Sequence, residues 1–371
     1  MLLIQNGTVL DPYTETCKKL DILIDDAGII HRIAPTIPAN YIEDVYDASG
    51  CMISPGLVDV HVHFRDPGQT EKEDIYTGAA AAEAGGYTTV VCMANTKPTC
   101  DNLETLQYVQ DKARHVMIHV LQDCAVTKGL GGKELVDFEA LHEAGAPGFT
   151  DDGVNLTSGK LCLEAMRRAK ALGVPLSFHE EDPAYVLSPG VNYGSKAAKK
   201  FDVLGAMPSS EEEMIARDIE LALMTGARVA FQHISSAKSV ALIRAGKARG
   251  ADVHAEATPH HLALTQDDVL TYGVNARMNP PLRTEQDRQA LIAGLVRLQH
   301  LEVFALRAVG CIVHFAHPVI HQFLPPERLL HSHNEGKSSS LRLEYWYTVI
   351  FCGPTIWSAL QNGYHRNCRQ L

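Results

Sequence analysis

Pro55-Gly56-Leu57-Val58-Asp59-Val60-His61-Val62-His63-Phe64-Arg65 is the stretch on which the fold turns. Two histidines two residues apart in a β-branched run predict a strand, and strand side chains alternate between faces. His61 and His63 then share one face, and Val60 and Val62 turn towards apolar packing. Asp66-Pro67-Gly68 ends the strand, so the histidines stand at its C-terminal end. In a (β/α)8 barrel that end carries the chemistry. On its own the pair reads equally well as two satisfied histidines at a strand edge.

Working outward, the chain after Ile53 repeats strand, loop and helix. Strands are predicted over 57–64, 88–94, 116–121, 148–150, 174–179, 228–234 and 252–257. Helices are predicted over 75–84, 103–113, 135–143, 158–171, 211–225 and 239–249. Gly85-Gly86, Gly173, Gly226 and Gly250 stand where helices should stop. Ser210 with Glu213 reads as a capping box. Seven such repeats point to an α/β protein with a TIM-like (β/α)8 barrel. A doubly wound sheet is the alternative, but no glycine-rich dinucleotide turn follows the first strand. Before the barrel, residues 1–52 read as a small N-terminal β layer. There Asn6-Gly7 is the expected turn of one hairpin and Asp25-Asp26-Ala27-Gly28 of another.

The composition narrows the function classes. A net charge of -11 argues against nucleic acid and anionic membrane as partners. No apolar run is long enough for a membrane span, and the N-terminus has no signal-peptide pattern. Nine cysteines without a C-x-x-C pair suit reduced thiols in the cytoplasm better than a disulfide framework.

Polar residues recur at the predicted strand ends. His61 and His63 end the first strand, Asn95 the second, Asp151 and Asp152 the fourth, His179 the fifth and His233 the sixth. Singly, each is more often structural than a ligand. Together, four histidines and a carboxylate at one end of a barrel suit two divalent cations of the zinc type.

These residues lie in motifs that resemble the dihydroorotases of the amidohydrolase superfamily, of the bacterial type with a bridging aspartate. The matching stretches are 55–65, Met93-Ala94-Asn95-Thr96, Phe149-Thr150-Asp151-Asp152-Gly153, Phe178-His179-Glu180-Glu181, Gln232-His233-Ile234-Ser235, Thr258-Pro259-His260-His261-Leu262 and Met278-Asn279-Pro280-Pro281-Leu282-Arg283. The resemblance implies reversible hydrolysis of dihydroorotate to N-carbamoyl-aspartate in pyrimidine biosynthesis, with two zinc ions per chain. It implies that His61 and His63 hold the more buried metal, that Asp152 bridges, and that His179 and His233 hold the second. Asp152 is preferred to Asp151 by its 27-residue spacing to His179. Substrate contacts fall to His63, Arg65, Asn95 and Asn279, a guanidinium and amides that suit a planar carboxylate. Partners implied are the small-molecule substrate, a second copy of the chain and aspartate transcarbamoylase.

The resemblance runs from residue 1 to about Leu295 and stops. The family's catalytic aspartate, in an Asp-His-Ala-Pro-His motif, should fall near Leu306, and the chain has no such motif. Residues 1–287 hold 22 aspartates, whereas 288–371 hold none and carry 8 Lys+Arg against 4 Glu. Residues 53–295 are therefore read as the hydrolase barrel. Residues 296–371 are read as an out-of-frame or replaced tail, with the eighth strand and the C-terminal β segments atypical or missing. A diverged tail in which 301–306 fills the eighth strand is the alternative. Two further readings stand beside dihydroorotase. One is a hydantoinase or allantoinase, whose relatives bridge their metals with a carboxylated lysine. The other is a non-catalytic metal-binding paralogue that acts by association.

Overall fold

The computed structural model describes residues 1–12, 14, 16–296 and 348–352. These fall into two units, 1–57 with 348–352, and 58–296.

The first unit is a sheet built from β1 (Leu2–Asp11), β2 (Thr16–Ile24), β3 (Ile30–Ala34), β4 (Asp44–Asp47) and β5 (Cys51–Pro55). β1 to β3 form an antiparallel meander, and β4 and β5 run parallel to β1. The Asp25–Gly28 segment does turn between β2 and β3. Asn6-Gly7 does not turn the chain: β1 continues through it, and the register against β2 shifts between Ile4 and Gly7. Asn6 takes φ 64°, the mark of a bulge. A Cβ on Gly7 would sit 2.2 Å from Ile53 Cδ1, so the dipeptide answers to packing rather than to a hairpin. Ile4, Val9, Ile22, Ala48, Cys51 and Ile53 form the core of this unit.

The C-terminal β segment expected to be atypical or missing is partly present. Thr348–Cys352 forms a strand antiparallel to β5, with Cys352 in register with Cys51. Its sequence, TVIFC, is β-branched and aromatic, the composition favoured in strands. Cys51 is disulfide-bonded, against the expectation of thiols alone. Cys17, Cys92, Cys100, Cys124 and Cys162 are free.

The second unit alternates strands and helices: β6 (Leu57–Val62), α1 (Ile75–Ala84), β7 (Tyr87–Cys92), α2 (Leu103–Ala113), β8 (His119–Gln122), α3 (Phe138–Glu143), β9 (Phe149–Thr150), α4 (Gly159–Leu172), β10 (Leu176–Phe178), α5 (Lys196–Lys200), α6 (Ser209–Thr225), β11 (Val229–Phe231), α7 (Ala237–Ala248), β12 (Val253–Ala255), α8 (Pro259–Ala263), α9 (Val269–Tyr272) and α10 (Glu285–Val296). Asp74, Asn102, Asp137, Ser158 and Ser236 cap five of the helices by accepting a backbone N–H of the first turn. Gly173 and Gly226 end α4 and α6 in the left-handed conformation that costs glycine little. The capping box at Ser210 does not form. The helix starts at Ser209 behind Pro208, and the buried Ser210 hydroxyl donates to the Met207 carbonyl.

The strands lie in sequential order, β6-β7-β8 in one sheet and β9-β10-β11-β12 in the next. Order without reversal is the barrel pattern and excludes the switch point of a doubly wound sheet. Where β8 meets β9 the ladder thins to the Cys124–Phe149 bridge, with Thr150 N–H donating to the Cys124 carbonyl at 2.8 Å. Phe149, Leu176, Phe178, Val229, Phe231 and Val253 are buried, as expected of strands covered on both faces. Among the described residues β6 and β12 do not pair. The eighth strand at 301–306 and the position near Leu306 lie outside the described residues.

Candidate metal centre

β6 ends at Val62, so His61 is its last inward residue and His63 the first beyond it. His61 is fully buried. The turn that follows is tight, and Arg65 takes φ 57°, a left-handed conformation that costs a residue with a Cβ about 1–3 kcal/mol. This sends its guanidinium back to Asn95, where Nη1 donates to Oδ1 at 3.3 Å.

Five residues predicted from strand ends converge. His61, His63 and Asp152 form one group of potential ligands and Asp152, His179 and His233 a second, with donor atoms within 4.8 Å inside each. Asp152 belongs to both. Its Oδ1 lies 3.5 Å from His61 Nε2 and 3.8 Å from both His179 Nδ1 and His233 Nε2, and its Oδ2 lies 3.2 Å from His63 Nε2. His179 Nδ1 and His233 Nε2 face each other at 2.9 Å. Nitrogen lone pairs gathered on a shared carboxylate are the donor set that divalent zinc-type cations prefer, so the residues fit a metal pair.

The outward nitrogens are held as well. His61 Nδ1 donates to Glu256 Oε1 at 2.5 Å, and His63 Nδ1 donates to Asn95 Oδ1 at 2.9 Å. His179 Nε2 lies 3.3 Å from Glu181 Oε2. Such bonds fix the tautomer and aim the opposite nitrogen inward. Asn95 also donates Nδ2 to Asp152 Oδ2 at 2.9 Å and to the Asp152 carbonyl at 3.2 Å. Its amide thus ties His63, Arg65 and Asp152 together.

Asp151 turns away from this cluster. Its carboxylate accepts from Val126 N at 2.7 Å, Thr127 N at 3.0 Å and the Thr127 hydroxyl. Asn279 is exposed and precedes a cis bond to Pro280. Lys160 is exposed near the start of α4.

The field inside the cluster is strong. Burial alone favours neutral His61, but Glu256 and Asp152 outweigh it and raise its pKa to about 10. Burial disfavours the Asp152 carboxylate, yet His61, His233 and His63 hold it well below the usual range. Burial pushes His233 down. Asp123, just past β8, is lifted to about 7 by burial, and the His61 charge offsets part of that rise.

Glu256 and Glu181 are the residues that strand-end reasoning missed. Both are carboxylates at the C-terminal end of predicted strands, the same signal that marked Asp152.

Comparisons with known proteins bear on the family. The Dihydro-orotase-like family profile matches residues 50–239. A curated dihydroorotase of Clostridioides difficile is 54% identical over 295 residues, covering 80% of this chain and 70% of its own length. This chain belongs to the dihydroorotase family. The dihydroorotase of Clostridium acetobutylicum is 52% identical over 295 residues, covering 80% of this chain and 69% of that one. Among solved structures, the L-hydantoinase of Arthrobacter aurescens superposes with a TM-score of 0.70 at 22% identity, covering 82% of this chain and 68% of that one. At that identity the likeness concerns the fold alone. Among the described residues, no helix is long and apolar enough to cross a membrane.

Proposed function

We propose that the chain is built for dihydroorotase chemistry, the reversible opening of the cyclic amide of dihydroorotate to N-carbamoyl-aspartate. The observation that carries this reading is the pair of ligand groups sharing Asp152. His61 and His63 would hold one zinc ion and His179 and His233 the other, with Asp152 shared by both groups. Two such cations lower the pKa of water to about 7 and polarise the amide carbonyl.

The chain's own residues do the rest. Glu256, Asn95 and Glu181 hold the ligand rings in one orientation. Arg65, half-buried beside Asn95, offers a guanidinium to the substrate carboxylate. Asn279 supplies an exposed amide for the ring. The hydantoinase alternative is weaker, because the bridging position holds Asp152 and Lys160 is exposed on α4.

Ring opening also needs a carboxylate to carry a proton to the leaving nitrogen. The family's aspartate aligns near Leu306 and is not in this sequence. Loss of such a group costs about 10²–10⁴ in rate, so we read the chain as a metal-loaded dihydroorotase scaffold with slow turnover. The tail from 296 onward is the replaced part. Five free thiols among the described residues suit a reducing compartment such as the cytoplasm, and the disulfide at Cys51 weighs against it. A homodimer and association with aspartate transcarbamoylase belong to the same reading, and light scattering with and without the partner checks both.

The test is to measure metal content and dihydroorotate hydrolysis on the same purified sample. Two zinc ions per chain with turnover far below that of a full-length relative is expected. A metal-free chain overturns the ligand assignment, and normal turnover overturns the account of the tail.

A further inference from the structure

Glu256 follows β12 and is 8% exposed. One of its carboxylate oxygens serves two clients. Oε1 accepts His61 Nδ1–H at 2.5 Å and the backbone N–H of His233 at 2.9 Å. The main chain of the same residue pairs with the same turn: Glu256 N–H donates to the Phe231 carbonyl at 3.0 Å, and Ile234 N–H donates to the Glu256 carbonyl at 3.0 Å. Within that turn His233 takes φ 32°, the left-handed region that favours glycine. The bonds from Glu256 hold this histidine in a conformation it would otherwise leave.

His61 belongs to one ligand group and His233 to the other. Asn95 and Glu181 each brace a histidine of one group, whereas Glu256 reaches a histidine of each. We propose that Glu256 is a positioning residue common to both halves of the metal site. It fixes the tautomer of His61 so that Nε2 faces Asp152, and fixes the turn that aims His233 at the same carboxylate. A buried acid kept only for packing would not need both bonds on a single oxygen at the junction of two ligand sets. The inference rests on the binuclear reading given under Proposed function.

The test uses the full chain as wild type, Glu256→Gln, Glu256→Ala and His63→Ala. Bound zinc is counted by mass spectrometry after dialysis against graded chelator, and the cobalt-substituted forms are compared by visible absorption. Glu256→Ala is expected to weaken both ions about 10–100-fold, the usual effect of removing a ligand's supporting partner. Glu256→Gln keeps an acceptor for both N–H groups and should recover part of that loss. His63→Ala should give up one ion and keep the other. Wild-type affinity at either ion in Glu256→Ala overturns the proposal. If that variant does not fold, an unchanged cobalt spectrum and unchanged affinities in Glu256→Gln overturn it instead. A wild-type chain that binds no cation defeats the binuclear reading itself, which separates that failure from this one.

Discussion

Asp151 and Asp152 are neighbours in the chain and bury their carboxylates in opposite directions. Asp152 points among four histidines, whereas Asp151 closes the loop after β8 by accepting two backbone N–H groups and a hydroxyl from Val126 and Thr127. Substitutions should therefore separate cleanly. Asp151→Ala leaves those donors buried without partners and should cost about 1–3 kcal/mol of stability, with metal binding retained in the folded fraction. Asp152→Ala strips Asn95 and the buried histidines of a partner and so also costs stability, but it should remove the metals. Thermal unfolding and metal counting on the pair check both halves.

Asp123 gives the metal-free chain a pH dependence opposite to that of most carboxylates. Its folded pKa is raised by burial to about 7 from 3.8, so between those values the folded state binds the proton more tightly than the unfolded chain. Stability then falls as pH rises through that window, and the penalty is complete above about 7. Three units correspond to about 4 kcal/mol at most. Asp123→Asn should flatten the change, and urea unfolding at pH 5 and pH 8 reads it. An undiminished drop in the variant would assign the effect to another group.

Arg65 should matter for substrate more than for metal. Replacing it with glutamine removes a charge-assisted bond worth about 1.5–3 kcal/mol, which is about 10–100-fold in dihydroorotate affinity. Zinc content should stay at the wild-type value. Calorimetric titration with dihydroorotate, alongside metal analysis, distinguishes this from general damage to the site.

The proposed replacement of the tail can be tested by grafting. Joining the C-terminal segment of a full-length relative, with its Asp-His-Ala-Pro-His motif, after Leu295 should raise turnover by about 10²–10⁴. Alanine in place of that aspartate should return the rate to the level of the present chain. A graft that folds, binds zinc and stays slow would place the defect elsewhere.

Gly7 tests the small sheet. A methyl group there would meet the Ile53 side chain at 2.2 Å, so Gly7→Ala should destabilise by about 1–3 kcal/mol through overpacking. Trimming the clash with Ile53→Val in the same chain should recover part of it, as read in melting temperature.

Much of this was legible in the residues because two periodicities did the work. Alternation placed His61 and His63 on one face. The expected bounds of α1 and α2 are those found, α1 ending at its Gly85 stop. The misreadings came where tertiary contact outweighs local signal. Asn6-Gly7 has the composition of a hairpin, yet Ile53 packs where a side chain would be, and the strand carries on. Ser210 with Glu213 has the spacing of a capping box, yet Ser210 is buried and the helix begins one residue earlier. Glu256 carries the strand-end signal, but its partners are not legible in the sequence. Its function lies in two hydrogen bonds to residues 195 and 23 positions away, and no local pattern encodes them.

The thin seam between β8 and β9 has a consequence for how the barrel comes apart. His61 and His63 stand at the end of a strand on one side of it, while Asp152, His179 and His233 follow strands on the other. Cations bound by both groups would stitch across the line where the ladder between the two sheets thins to a single bridge. Demetallation should then appear as faster amide exchange at residues 124 and 150 and as a protease-sensitive joint before any global melting. For this chain, metal occupancy would be a measure of mechanical integrity as much as of chemical readiness.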